Sequence, residues 1–250
     1  MLFPSCSRVY TLGVMDSHVH KESHHKNTTH KLNWLRAGVL GANDGIVSIA
    51  GLVVGVAGAT SSPFVIATAG VAGIIAGAIS MAAGEYVSVS SSRDSEKALL
   101  KIEEYELKTN PEEELDELTC IYEDKGLSRA TAKQVAQELT AKDAMRAHFD
   151  AELGIDPDNL TNPWHAAFAS CASFLCGAII PLIAVLLPPA AIRVPFAFVA
   201  VIIALILTGV ISAKVGQANV LKAVIRVVIG GALAMIVTYG IGRLFGMAGI

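Results

Sequence analysis

The sequence predicts an all-α, polytopic membrane protein with five transmembrane helices and a polar helical module between the second and the third. The 250-residue chain is 53% hydrophobic and only 16% charged, whereas soluble domains carry about 25% charged residues. Five apolar runs are long enough to cross a bilayer. Eighteen of the 22 acidic residues fall between Asp94 and Asp158, so the polar residues are concentrated in one stretch.

The five predicted spans follow from the length that a bilayer requires, about 20 apolar residues for a core about 30 Å thick. They cover residues 34–59, 63–89, 164–187, 194–213 and 220–245. Pro188 and Pro189 end the third span, because proline lacks the N–H and disfavours helix in the residue before it. The predicted domains are a flexible His-rich tail (1–30), helices one and two (31–91), the acidic module (92–160) and helices three to five (161–250).

Lysine and arginine predict the orientation. They are frequent in the N-terminal tail, in the acidic module and in the 214–222 link, whereas the 59–63 turn has none and the 188–193 turn has only Arg193. The positive-inside rule therefore places the N-terminus and the acidic module in the cytosol and the C-terminus outside. We identify no sorting signal, which favours a bacterial inner membrane. The net charge of −3, without a basic patch, argues against nucleic acid as a partner. The start of translation, Met1 or Met15, stays open.

Two acidic residues fall inside predicted spans. Asp44 lies about ten residues into the first span, where a carboxylate costs at least about 2.5–3.5 kcal/mol. It either caps a helix break at residues 43–45 or forms a cation or proton site in the bundle interior. In the second span, Met81 and Glu85 are four residues apart and share one face. A thioether beside a carboxylate suits Fe²⁺ better than Mg²⁺ or Ca²⁺, although a single methionine is more often apolar packing.

Glycines recur at four-residue spacing in the first two spans. The pairs are Gly41 and Gly45, Gly51 and Gly55, and Gly73 and Gly77. Such spacing lets helix backbones approach closely in lipid. It is compatible either with packing inside one chain or with a pathway between two subunits.

The acidic module predicts three or four short amphipathic helices. The first, residues 94–108, is expected to bury Ala98, Leu99, Ile102 and Tyr105. Pro111 can open the second helix at its first turn. Ser128 is expected to cap a third helix and Thr140 a fourth.

Spacing also predicts metal ligands in this module. Glutamates three residues apart project from one helical face, as do residues four apart. Carboxylates, an imidazole and a thioether that converge would bind a transition-metal ion, whereas the alternative is a solvated helix surface, which acidic runs commonly form. The candidate ligands are Glu103, Glu106, Glu114, Glu117, Met145, His148 and Glu152.

The segments LRAGVLGANDGIVSIAGLVVGV and GAISMAAGEYVSVSSSRDSE resemble the first two helices of the vacuolar iron transporter family. The similarity covers nearly all of the chain after about His30, and a bacterial member is expected. The resemblance implies a homodimeric antiporter that exchanges Fe²⁺, and often Mn²⁺, for protons along a pathway between the subunits. It implies ion-handling roles for Asp44 and Met81. It also implies metal-ligand roles for Glu103, Glu106, Glu114, Glu117 and Glu152.

The chain departs from the plant members of that family at several positions. A methionine stands there in place of His148, and two further acids correspond to Ala37 and Gly73. Glu85 replaces a glycine and restores one carboxylate at a different depth. Imidazole is a suitable ligand for Fe²⁺ or Zn²⁺, so the cytosolic site is expected to be retuned rather than lost.

Two other functions are weighed against transport. A membrane-tethered di-iron ferroxidase would require Glu-x-x-His on two helices, and the acidic module has no such motif. A metal-sensing membrane protein would leave Asp44 without a role. Five of the seven histidines lie between His18 and His30, where they are either a loose metal collector or incidental residues of the tail.

Overall fold

The computed structural model describes residues 26–248, with side chains from Gly38 onward. This part of the chain is entirely helical, with seven α-helices and no strand. The helices are α1 (Lys26–Ala59), α2 (Pro63–Thr109), α3 (Pro111–Asp124), α4 (Arg129–His148), α5 (Pro163–Leu186), α6 (Arg193–Val215) and α7 (Val220–Ala248), with a π-helical turn at Phe149–Leu153 and a 3-10 turn at Pro157–Asn159. Five helices, α1, α2, α5, α6 and α7, are long and apolar enough to cross a membrane. The all-α class and the five predicted spans are therefore confirmed.

The described residues divide into two compact units. Residues 90–161 form one, called here the polar unit. The described residues before 90 and after 161 form the other, called the membrane unit. Most of the predicted His-rich tail, residues 1–25, lies outside the described residues.

Helix α2 contributes to both units, and this corrects the predicted separate helix at residues 94–108. It runs for 47 residues, about 70 Å at about 1.5 Å per residue. No proline or glycine occurs between Gly84 and Asn110, and the Ser95 hydroxyl donates to the Ser91 carbonyl at 3.0 Å instead of capping a new helix. Nothing in the sequence therefore interrupts the helix at the predicted boundary.

The centre of the membrane unit is α1. It packs against α5, α6 and α7. Its residues Ile46, Ile49, Ala50, Val53 and Val54 are all at most 2% exposed. A helix that is apolar on all sides is typical of a buried central position.

The glycines of α1 bring two neighbouring backbones close. A Cβ atom at Gly41 would lie 3.0 Å from the Ser170 carbonyl of α5, and one at Gly55 would lie 3.2 Å from the Thr238 carbonyl of α7. Gly45 lies against the Phe174 carbonyl of α5. These α1 glycines therefore serve packing within one chain, one of the two interpretations that the spacing left open.

The glycines of α2 instead receive side chains. Gly70 accommodates Leu182, and Gly77 accommodates the ring of Phe174, which is 2% exposed. This is interdigitation of large and small residues, with little direct approach of the helix backbones.

Helix ends are fixed by polar groups. The Ser128 hydroxyl accepts from the Thr131 amide at 3.3 Å, as the sequence predicts. The Asn162 side chain accepts from the Trp164 amide at 2.9 Å and begins α5. At the start of α6, the buried Arg193 donates from Nη1 to the Ser61 carbonyl at 3.0 Å. This bond ties the turn between α1 and α2 to α6.

The predicted cap at Thr140 is wrong. Helix α4 continues through Thr140 and is interrupted at Asp143, whose backbone is extended at φ −166° and ψ 94°. There the Asp143 carboxylate accepts from the Arg146 amide at 3.0 Å. A carboxylate is as good an N-cap as a hydroxyl, so the new helical segment that carries His148 starts after Asp143.

Candidate metal centre

In the polar unit, α2 turns a carboxylate inward. Glu103 is 3% exposed. The predicted buried face is wrong: Leu99, Ile102 and Tyr105 are 45%, 54% and 68% exposed, and Ala98 is exposed as well. The orientation of the helix in this unit follows the glutamate and not the apolar side chains.

Glu103 meets His148 and Glu114 in the interior. The His148 Nδ1 atom lies 2.9 Å from Oε1 of Glu103 and 3.7 Å from Oε2 of Glu114. It is also 3.8 Å from Oε2 of Glu152. One possible ligand atom from each of Glu103, Glu114 and His148 falls within 4.8 Å of the others. These three residues are called here the Glu–His cluster.

Local sequence explains how α3 and α4 present their members of the cluster. Pro111 opens α3, so that Glu114 falls in its first turn, where the helix dipole favours a negative charge. Leu118, one turn further, is fully buried. On α4, Ala132 and Ala136 are fully buried, and such small side chains allow close packing on α3.

The cluster contains buried polar atoms without hydrogen bonds. Neither ring nitrogen of His148 has a hydrogen-bond partner among the described residues, and Oε1 of Glu103 has none either, despite the 2.9 Å separation. Buried polar atoms are almost always paired, and exceptions call for a cause such as a bound ion. The donor set fits a divalent cation, because two carboxylate oxygens and an imidazole nitrogen are common ligands of Fe²⁺, Mn²⁺ and Zn²⁺.

The electrostatics of the cluster also favour a cation. Burial, reinforced by the Glu152 charge, raises the pKa of Glu103 to about 8. Burial, reinforced by the Glu117 charge, raises the pKa of Glu114 to about 7. Burial alone would lower the pKa of His148, but Glu152, Glu103 and Glu114 outweigh it, and the pKa is raised. The unit therefore holds protons near neutral pH at positions where a metal ion would replace them.

The other predicted ligands lie around the cluster. The Glu152 side chain is 28% exposed and is the third carboxylate near Nδ1 of His148, after Glu103 and Glu114. Burial raises the pKa of Glu117, and the Glu152 charge adds to this. Glu106 is exposed, and its negative charge contributes to the raised pKa of Glu114. Met145 is 39% exposed, three residues before His148 on α4.

Asp44 lies within a continuous helix. Residues 43–45 are helical, so the interpretation of Asp44 as the cap of a helix break is wrong. Asp44 is half-buried, and Oδ1 accepts from the Ser48 hydroxyl at 2.9 Å. The neighbouring Asn43 has a buried side-chain oxygen without a hydrogen bond. Sequence reasoning passed over Asn43, although a second polar residue in an apolar span was the available signal.

The other two membrane candidates lie on α2. Met81 packs against the apolar core of the membrane unit, and Glu85 is half-buried. Among the described residues, neither Asp44 nor Glu85 belongs to a group of three possible metal ligands. The structure thus brings three of the ten predicted site residues into a cluster, and it leaves the membrane candidates as separate groups.

The chain matches the VIT family model over residues 35–243. The chain belongs to the VIT family. It is 44% identical to a vacuolar iron transporter of Acanthamoeba castellanii, over 88% of this chain and 82% of that protein. It is 37% identical to vacuolar iron transporter homolog 1 of Oryza sativa subsp. japonica, over 90% of this chain and 79% of that protein. Membership of the VIT family indicates a transporter rather than an enzyme, and with five apolar helices this VIT protein is an integral membrane protein.

Proposed function

We propose that this protein is a secondary transporter that exports Fe²⁺ from the cytosol in exchange for protons, with Mn²⁺ as a second substrate. The relatives named vacuolar iron transporter support the class of substrate. The observation that carries the proposal is the Glu–His cluster, in which buried carboxylates and an imidazole lie within 4.8 Å of one another. In this proposal the cluster binds the ion on the cytosolic side. The transporter would contribute to the homeostasis of cytosolic iron.

The ion is expected to be of borderline character. Carboxylates alone suit Mg²⁺, Ca²⁺ and Mn²⁺, whereas an imidazole shifts preference toward Fe²⁺ and Zn²⁺. His148 is fully buried and faces Glu103 and Glu114, so its ring is a ligand and not a surface group in this proposal. Glu106, Glu117, Glu152 and Met145 would complete the ligand set as the helices adjust around the ion.

The membrane step is assigned to Asp44, Met81 and Glu85. Carboxylates bind metal only when ionised, so protonation of Asp44 or Glu85 from the far side would release the ion. The Ser48 hydroxyl donates to Oδ1 of Asp44 and leaves the other carboxylate oxygen free of this bond. We place this pathway at the interface of a homodimer, with the polar unit in the cytosol and the C-terminus outside. A bacterial inner membrane stays a prediction.

Purified protein in liposomes tests the exchange. With the lumen acidified, Fe²⁺ uptake should follow the imposed proton gradient, and Asp44→Asn should abolish most of it. Ser48→Ala is the matched control, because it removes the hydrogen bond and keeps the carboxylate; it should retain transport.

Two results would contradict the proposal. Uptake that is indifferent to the gradient would show that proton exchange is wrong. Wild-type transport by Asp44→Asn would remove Asp44 from the pathway and would favour a metal-sensing role for the Glu–His cluster.

A further inference from the structure

A cavity of about 600 Å³ lies in the membrane unit, at the end where the turn between α1 and α2 is located. Its wall is formed by Ala57 of α1 and by Val194, Pro195 and Phe198 of α6. Only Tyr239 and Arg243, both on α7, have polar side chains there. Six of its eight lining residues are therefore apolar, and the cavity carries one positive charge. It shares no residue with the Glu–His cluster or with the three membrane candidates.

The charge of Arg243 is not neutralised by the chain that surrounds it. The Arg243 side chain is exposed and makes no hydrogen bond or ion pair with any described residue. The segments that form this end, residues 57–66, 187–199 and 239–248, contain no aspartate or glutamate. An anion that pairs with Arg243 would therefore come from outside these segments.

A second cation reinforces the positive character of this end. Arg193, next to the lining residue Val194, is 6% exposed. Its Nη1 atom donates to the Ser61 carbonyl, whereas its Nε atom has no hydrogen-bond partner among the described residues. Val194 and Pro195 also belong to the first turn of α6, where the helix dipole is positive.

Arg243 lies in the last two turns of α7, where a spanning helix is expected to reach the lipid headgroups. It lies 23 residues after Val220, the first residue of α7, which is about 35 Å along the helix. That distance exceeds the hydrocarbon thickness of about 30 Å. Tyrosine, as at Tyr239, is typical of the same boundary, because its ring is apolar and its hydroxyl is polar.

We propose that this cavity binds one anionic phospholipid, with its phosphate at Arg243 and the upper part of an acyl chain along Val194 and Phe198. Guanidinium binds phosphate through two parallel hydrogen bonds, and the unneutralised charge selects a lipid with a net negative headgroup. A free phosphate would leave the apolar wall uncovered, so the proposal commits to the lipid. It does not depend on the transported ion.

The test measures lipid binding to the full-length protein in a neutral detergent by native mass spectrometry. Phosphatidylglycerol and phosphatidylcholine with the same acyl chains are titrated separately. The wild type should hold one phosphatidylglycerol in preference to phosphatidylcholine, and Arg243→Gln should weaken that binding about tenfold, as expected for the loss of a charged hydrogen-bonding group. Arg226→Gln is the matched control, because Arg226 is an exposed arginine at the other end of α7.

A variant that fills the cavity makes the test independent of charge. Ala191 lines the cavity and lies in the exposed turn before α6, so Ala191→Trp should fold and should exclude both lipids. Equal affinity for the two lipids, or equal losses in Arg243→Gln and Arg226→Gln, would overturn the proposal. So would competition by inorganic phosphate alone, or a change from dimer to monomer in Ala191→Trp, which would identify the cavity as a contact between copies.

Discussion

The membrane unit and the polar unit differ in what they bury: beside its apolar residues, the polar unit buries Glu103, Glu114 and His148. In the membrane unit, α1 presents glycines to its neighbours, and its most buried positions are all apolar. In the polar unit, α2 buries Glu103 and exposes Leu99 and Ile102. In lipid, apolar burial does not distinguish a helix partner from the solvent, so shape and close approach select the packing. In water, apolar burial is expected to dominate, and α2 departs from this at Glu103, which lies beside His148 and near Glu114.

The first and largest expected effect comes from a larger side chain at the close contact between α7 and α1. Gly242 of α7 lies against the Gly55 carbonyl of α1, whereas a Cβ atom at Gly240 would meet nothing within 4 Å. Gly242→Leu should destabilise the protein by at least about 3 kcal/mol, because overpacking here displaces backbone and not a flexible side chain. The thermal unfolding temperature in detergent measures the loss.

Gly240→Leu is the control for helix propensity and hydrophobicity. It should unfold at a temperature close to that of the wild type. Equal losses in Gly240→Leu and Gly242→Leu would mean that close approach of α1 and α7 is not what stabilises the membrane unit.

The second way removes the charges that the polar unit buries. Glu103→Gln with Glu114→Gln keeps the shape of the cluster and removes both of its carboxylates. The affinity for Zn²⁺ or Mn²⁺ should fall at least about 100-fold. Loss of a residue that only hydrogen-bonds to a metal ligand already lowers metal affinity by about 10–100-fold. Isothermal titration calorimetry on the full-length protein checks it.

The neighbouring acids supply the comparison. Glu112 and Glu113 are exposed in the same turn of α3, so Glu112→Gln with Glu113→Gln removes the same charge from the surface. Binding by this control should stay near that of the wild type. If both double variants lose affinity equally, diffuse acidity and not the cluster binds the ion.

The third way uses pH. The pKa values of Glu103 and Glu114 are raised to about 8 and about 7 in the folded protein. Both carboxyl groups therefore bind protons more tightly in the folded state than in the unfolded state. Their contribution to stability is therefore complete below about pH 4.5 and is lost as pH rises through 7 to 8. Without metal, the unfolding temperature of the polar unit should fall between pH 5 and pH 8.5.

A bound divalent ion should reverse that trend, because it replaces the departing protons. Zn²⁺ should raise the unfolding temperature more at pH 8 than at pH 5, and binding near pH 7 should release protons. A metal-free protein that becomes steadily more stable up to pH 8.5 would contradict the raised pKa values.

The smallest effect is expected on the exposed face of α2. Ile102→Ser replaces a side chain that is 54% exposed and should change the stability of the polar unit by no more than about 0.5 kcal/mol. Leu118→Ala, at a fully buried position on α3, should cost about 2–5 kcal/mol. Chemical denaturation of the two variants compares the exposed face of α2 with the buried interior of the polar unit. A large loss of stability in Ile102→Ser would show that the exposed face of α2 is covered.

Hydropathy was sufficient to predict the class and the five spans, because length and apolar composition are properties of each segment alone. α6, predicted at 194–213, runs from Arg193 to Val215. The orientation of α2 in the polar unit could not be predicted in this way. The choice between an apolar face and Glu103 depends on Glu114 and His148, which are distant along the chain and whose positions spacing does not specify.

The same limit applies to the glycines and to α4. The spacing of Gly41 and Gly45 predicts close approach, but not that the neighbour is α5. On α4, both Thr140 and Asp143 are competent caps, and local sequence does not decide between them. The ligand pairs were predictable because residues on one helical turn share a face; the convergence of three helices was not.

The central position of α1 has a consequence for biogenesis. α1 ends at Ala59, whereas its neighbour α5 begins only at Pro163, and α7 begins at Val220. Chains are made at about 5–20 residues per second, N-terminus first, so at least about 5–20 s pass before α5 is complete. During that time the middle of the future bundle exists without α5, α6 and α7. α1 must therefore enter the bilayer, with Asp44, on the strength of its own hydropathy.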